Sequence, residues 1–211
     1  MITKRKVVLD YDDTIIKSRE RIVELLNEKN GTNKSVKDIV TWDYKSIDEN
    51  ITPDEINALY ASEKFFNELE LYETVKEFIH EMKNKYTFVV CSVGSKENLE
   101  RKENHIKQLA KELDADIHFA GVEFNAASTS KHQKSCYNFS DCECAIDDNT
   151  DALLSTNAKI KILFKPNIER EWNRIPRSSE NFYVVSSFEE ILEIFKFNEK
   201  LKEEGIELGT L

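Results

Sequence analysis

Short apolar runs alternate along this chain with stretches whose apolar positions recur every three or four residues. The runs at 7–9, 86–92, 117–120, 144–146, 159–164 and 182–185 are rich in aliphatic, β-branched and aromatic residues, and they predict buried strands. Helical periodicity appears at 18–29 through Ile22, Leu25 and Leu26, and at 74–82 through Val75, Phe78, Ile79 and Met82. It appears again at 96–113 through Leu99, Ile106, Leu109 and Leu113. Thr52-Pro53-Asp54-Glu55 predicts another helix start: Thr52 caps, Pro53 suits the first turn and Glu55 completes a capping box. Ser187-Phe188-Glu189-Glu190 repeats the capping-box spacing before the last helix. Residues 31–51 are polar and irregular, relieved by Ile39, Val40, Trp42 and Tyr44, and 198–211 is a polar tail that frays or extends the helix to Gly205.

Strands separated by helices require crossover connections. They predict an α/β fold in which helices cover both faces of a doubly wound, Rossmann-like, mainly parallel sheet. The segment between the first strand and the strand at 86 is mostly helical and reads as an insertion. The expected division is a core of 1–16 and 86–197 with a small helical cap at 17–85. Ligands of such sheets bind beyond the carboxyl ends of the strands. Three strand ends carry suitable groups here: Asp10 with Asp12, Ser92, and Asp147 with Asp148.

Asp10-Tyr11-Asp12-Asp13-Thr14 follows Val7-Val8-Leu9 directly. Residues two apart in an extended chain share a side, so Asp10 and Asp12 can face one site. Carboxylates that close repel each other and call for a cation, a shared proton or a positive substrate. Such a pair suits phosphoryl transfer, with one acid attacking phosphorus and the other handling the proton.

The net charge of -10 argues against a general grip on a nucleic-acid backbone, which needs clustered Lys and Arg. It leaves room for a small phosphate ester, because a metal ion and one lysine can reverse the local potential. No stretch approaches the roughly 20 apolar residues of a membrane span. The basic start at 1–6 is followed by only three apolar residues, which is no secretory signal. Cys91, Cys136, Cys142 and Cys144 lack paired CxxC spacing and read as free thiols, with a cytoplasmic location as the default.

Together these motifs resemble the haloacid dehalogenase-like (HAD) hydrolase superfamily. Its first signature is a strand followed by Asp-x-Asp-x-Thr, matched by Asp10, Asp12 and Thr14. Its second is a strand ending in Ser or Thr, matched by Val89-Val90-Cys91-Ser92, and its fourth is a strand ending in acids, matched by Ala145-Ile146-Asp147-Asp148. The third is a loosely placed lysine. Asp38-Ile39-Val40-Thr41-Trp42-Asp43, Phe65-Phe66-Asn67-Glu68-Leu69 and Ile162-Leu163-Phe164-Lys165-Pro166-Asn167 are similar to segments of the 5'(3')-deoxyribonucleotidase group within it.

The resemblance implies a HAD-like core with a cap and a Mg²⁺-dependent phosphomonoesterase, with a nucleoside monophosphate as substrate. Asp10 would be the nucleophile and Asp12 the general acid and base. Asp10, Asp147 and the main-chain carbonyl of Asp12 would hold Mg²⁺, supported by Thr14 and Asp148. Ser92 would bind a phosphoryl oxygen, although taken alone it reads as a helix cap; a helix N-cap is the lesser alternative for Asp147 and Asp148. The phosphate lysine is expected at Lys134, with Lys131 as the alternative. Trp42, Tyr44, Phe65 and Phe66 are candidates to stack on a base, or else they pack the interior of the cap. A sugar phosphate, a polynucleotide 3'-phosphate, an oligomeric assembly and a catalytically silent binding protein on the same scaffold stay open.

Overall fold

The computed structural model describes residues 4–39, 41–123, 141–166, 168–177 and 181–205. In chain order the elements are β1 (Arg5–Asp10), α1 (Ser18–Asn30), a 3₁₀ turn (Val36–Asp38), α2 (Pro53–Ala61), α3 (Glu63–Asn67), α4 (Val75–Met82), β2 (Tyr86–Gly94) and α5 (Lys96–Leu113). They continue with β3 (Ile117–Glu123), β4 (Cys142–Asp147), α6 (Thr150–Leu154), β5 (Ile160–Phe164), β6 (Phe182–Val185) and α7 (Phe188–Glu203). The strands form one sheet in the order β3-β2-β1-β4-β5-β6, and every neighbouring pair runs parallel. The fold is therefore the expected Rossmann-like α/β sheet.

Alternation along the strands sends side chains to both faces, and both are buried. Val7, Leu9, Phe88, Val90, Cys144, Ile146 and Ile162 pack against apolar residues of α4, α5 and α7. Val8, Val89, Cys91, Ala145 and Leu163 meet Leu153 of α6 on the other face. A separate cluster builds the insertion: Ile22, Leu25, Leu26, Ile39, Tyr44, Ile47, Ile51 and Phe65, joined by Trp172 from the core segment after β5.

The stripe Val75, Phe78, Ile79 and Met82 of α4 lies in the main core, and the buried residues of the insertion's own apolar cluster come from the chain before α4 and from Trp172. Of the two outcomes expected for the tail, the structure has the helical one: α7 runs to Glu203 and buries Asn198 and Glu199.

Local signals explain most element ends. Thr52 accepts from the Glu55 N–H while Glu55 reaches back to Thr52, as the capping box requires. Gly31 ends α1 at φ 64°, a left-handed position that suits glycine. Glu190 differs from the expected box: it accepts from Ser186, while Ser187 caps α7 by accepting from the Glu190 N–H.

The end of the sheet opposite the carboxylates is tied by Glu199. Arg5 donates to it at 2.5 Å, Tyr86 at 2.7 Å, and Lys85 lies 3.2 Å away. Burial disfavours the Glu199 carboxylate, but these donors outweigh it and bring its pKa down to about 2. A carboxyl whose folded pKa lies below its unfolded value stabilises the fold at neutral pH, and that contribution is lost as pH falls toward 2. We predict that Glu199→Gln costs on the order of 2 kcal/mol near pH 7, and progressively less in more acidic buffer. Urea titrations at both pH values check this, and an equal loss at each would refute the ionic contribution.

Candidate active site

The strand order reverses between β1 and β4. The chain winds outward from β1 through β2 to β3, then returns to the other side of β1. At such a switch point the connections on either side diverge and leave a crevice at the carboxyl ends of the strands. Leu9 is in register with Ile146, so Asp10 and Asp147 end neighbouring strands at the same level. Asp10, Asp147 and Asp148 are all buried, and each offers a carboxylate oxygen within 4.8 Å of the others. Thr14 Oγ1 donates to Asp10 at 3.2 Å, the Asn149 N–H to Asp147 at 2.9 Å, and the Trp172 indole N–H to Asp148 at 2.7 Å. Burial, with Asp13 and Asp147 close by, pushes the Asp148 pKa up to about 7. Neither aspartate caps α6, because Asn149 does so by accepting from the Ala152 N–H.

Asp12 lies on a different contact. Beyond β1 the chain turns tightly: Asp13 takes φ 57°, its N–H donates to the Ile16 carbonyl at 2.8 Å, and the Ile16 N–H donates to the Tyr11 carbonyl at 3.1 Å. Asp tolerates that left-handed backbone better than most residues. The Asp12 carboxylate accepts from Ser18 Oγ at 2.8 Å, from Ser92 Oγ at 3.2 Å, and from the ammonium of Lys102. Lys102 is 1% exposed and also donates to Ser92 Oγ at 2.9 Å. Ser92 is wholly buried at the end of β2; the cap of α5 is Ser95.

Among the described residues, Lys102 brings an ammonium to this site; Lys134 and Lys131, the lysines expected from sequence, lie outside the described residues. The Lys102 ammonium sits 5.0 Å from the centre of the Tyr11 ring, and the Tyr11 hydroxyl meets His105 Nδ1 at 2.6 Å. One turn back on α5, the Asn98 amide donates to the Tyr60 carbonyl of α2 at 2.5 Å, so the helix that carries Lys102 also holds the cap. A Cβ on Gly94 would run into Asn98 Oδ1, so any larger residue at the end of β2 would have to displace that side chain.

The four aromatic candidates separate by burial. Phe65 is fully buried and Tyr44 is 2% exposed, and both rings fill the interior of the cap. Neither offers a face to a ligand. Phe66 packs partly buried against the same cluster, edge-on to Phe65. Trp42 differs: it is 48% exposed and stacks on Trp172 with ring centres 4.1 Å apart.

Three hard oxygen donors, buried and mutually repelling, fit a small divalent cation such as Mg²⁺. The nearby serine, lysine and fourth carboxylate place a hydroxyl, a positive charge and a titratable acid side by side, groups that an oxyanion-handling site would use.

No protein-family model matches the sequence, and no curated protein does. Solved structures do resemble the fold. A predicted phosphatase from Clostridium acetobutylicum superposes with a TM-score of 0.59 at 12% identity, covering 92% of this chain and 99% of that one. A haloacid dehalogenase-like family hydrolase from Streptococcus pneumoniae gives 0.54 at 13% identity, over 92% and 100%. The Bacillus subtilis HAD-hydrolase YfnB, solved bound to magnesium, also gives 0.54 at 13% identity, over 90% and 98%. The fold is that of the haloacid dehalogenase-like hydrolases.

Within this HAD-like frame, several residues that line the site carried weaker sequence signals. Lys102 occupies the stripe Leu99, Ile106 and Leu109 on the core face of α5, and a lysine on an apolar stripe is the signal that marks it. Arg19 sits likewise on a buried face of α1, paired through Nε with Asp13. Trp172 lies in an irregular segment with no periodicity to place it. Among the described residues no helix is long and apolar enough to cross a membrane. Cys91, Cys142 and Cys144 are buried; Cys136 and Asn167 lie outside the described residues.

Proposed function

We propose that this chain is a Mg²⁺-dependent phosphomonoesterase working through an aspartyl-phosphate on Asp10, with a nucleoside 5'-monophosphate as its substrate. One observation supports this above the rest: a buried trio of carboxylates stands at the switch point of a HAD-like sheet, beside a joined Asp12, Ser92 and Lys102.

Asp10 attacks phosphorus, which splits one hard displacement into two easier ones. Asp12 donates a proton to the departing alkoxide and later takes one from the water that hydrolyses the acyl phosphate. Its contacts with Ser18, Ser92 and Lys102 orient it for both tasks. Lys102 neutralises charge that builds on the equatorial oxygens, and Ser92 donates to one of them. Asp10, Asp147 and Asp148 would hold the cation with the Asp12 main-chain carbonyl; when bound, it offsets the charge of nucleophile and phosphate.

The nucleotide assignment draws on the resemblance in the cap and on Trp42, whose half-exposed indole suits stacking on a base. At saturating Mg²⁺, Trp42→Ala should lower kcat/KM for dUMP by about 5- to 10-fold, as for loss of one base stack, and leave p-nitrophenyl phosphate hydrolysis nearly unchanged. Equal losses on both would remove Trp42 from base recognition. A phosphate-release panel of dUMP, dTMP, sugar phosphates and a 3'-phosphorylated oligonucleotide identifies the ester class. Failure to release phosphate from any of them would favour a binding protein.

A further inference from the structure

A chain of contacts joins the cap to the carboxylate site through Asp13, Arg19 and Trp172, which have no role in the chemistry above. It starts at Asp13, three residues past Asp10, whose carboxylate pairs with the Arg19 guanidinium and accepts the Arg19 N–H at 2.9 Å. Arg19 is 4% exposed on α1 of the cap. Its guanidinium carbon lies 4.2 Å from the centre of the Trp172 ring and 4.8 Å from that of Trp42. The two indoles stack, inclined by 30°. Trp172 then donates to Asp148, and its carbonyl accepts from the Thr150 N–H at 2.9 Å. The path runs from the turn after β1, through the cap, to the loop after β4. It brackets both strand ends that carry the carboxylates.

We infer that Trp172 is a positioning residue for the metal site. Held by Arg19 and Trp42, it fixes the Asp148 carboxylate and makes divalent-cation affinity depend on where the cap sits.

The indole N–H can only donate, so it engages one Asp148 oxygen and leaves the other for a cation. A buried indole N–H needs such an acceptor in any case, so the indole and the carboxylate hold each other in register. Arg19 adds a cation over both indole rings and binds the stack to Asp13. Any displacement of α1 or of Trp42 would withdraw support from Trp172, and through it from Asp148. Outer-sphere partners of this kind commonly alter metal affinity 10- to 100-fold.

The inference rests on the phosphatase reading for its cation, and calorimetric titration of the intact protein with Mg²⁺ separates the two. Trp172→Phe keeps an aromatic ring for the stack and deletes the donor; its Mg²⁺ Kd should rise by about 10- to 100-fold. Phosphate release lost at low Mg²⁺ should return at saturating Mg²⁺, with circular dichroism unchanged. Trp42→Ala keeps the donor and removes the stack at a half-exposed position, so it provides a second test should Trp172→Phe fail to fold. Its Kd should rise by a smaller but measurable factor. Unchanged Kd values in the folded variants would overturn the inference and leave the phosphatase reading intact. An unsubstituted protein that binds no Mg²⁺ would overturn both.

Discussion

Asp10→Asn should stop Mg²⁺-dependent phosphate release almost completely, by at least about 10⁴-fold in kcat, the scale seen when a covalent nucleophile is removed. The substitution is nearly isosteric. It keeps a group for Thr14 to donate to and alters little of the packing at the end of β1. It replaces a carboxylate by an amide, which cannot form a stable link to phosphorus, and it removes one of three anionic oxygens from the cation site. The two losses can be told apart. If the variant still binds Mg²⁺ yet does not turn over, the missing function is nucleophilic. The check is a phosphate-release assay on p-nitrophenyl phosphate, which needs no recognition by the cap. Full turnover by this variant would show that the nucleophile lies elsewhere.

Lys102→Met should be the second most damaging change. Methionine has a similar length and suits the apolar stripe of α5, so the helix should keep its place. The positive charge between Asp12 and Ser92 is lost. Removing one stabiliser of a developing oxyanion commonly costs about 10²- to 10³-fold in kcat, and the same range is expected here. The loss should fall mainly on kcat, because the extra negative charge develops as the ester reacts. Lys102→Arg should not restore the rate, since a planar fork does not fit a site that leaves 1% of the lysine exposed. Steady-state kinetics for Lys102→Met and Lys102→Arg give the test. A variant whose KM rises while kcat stays unchanged would confine Lys102 to ground-state binding.

The pattern of apolar runs is enough to read the sheet, because a strand buried on both faces must be apolar throughout and must end where the polar residues begin. That is why Asp10, Ser92 and Asp147 stand out in the sequence: each is the first polar side chain after an apolar run. Lys102 does not stand out in this way. It comes from the middle of a helix with many charged residues, and only its position on the buried stripe distinguishes it from the surface lysines around it. Chain order points to lysines just before β4, which lie outside the described residues, and it gives no sign of the contact that Lys102 makes when α5 packs against β2. The aromatic candidates show the same limit. Trp42, Tyr44, Phe65 and Phe66 are equally aromatic in sequence, but tertiary packing buries Tyr44 and Phe65 and leaves Trp42 half-exposed. Trp172 could not have been paired with Asp148 from sequence, since an irregular segment carries no period from which to place an indole.

The covalent intermediate is the most direct point of test. Acid quenching during turnover of a phosphomonoester, followed by peptide mass spectrometry, should find one phosphoryl group on the peptide that contains Asp10. The adduct should require Mg²⁺ and should be absent from Asp10→Asn. Continued turnover with no adduct, or with the phosphoryl group on another side chain, would contradict the account.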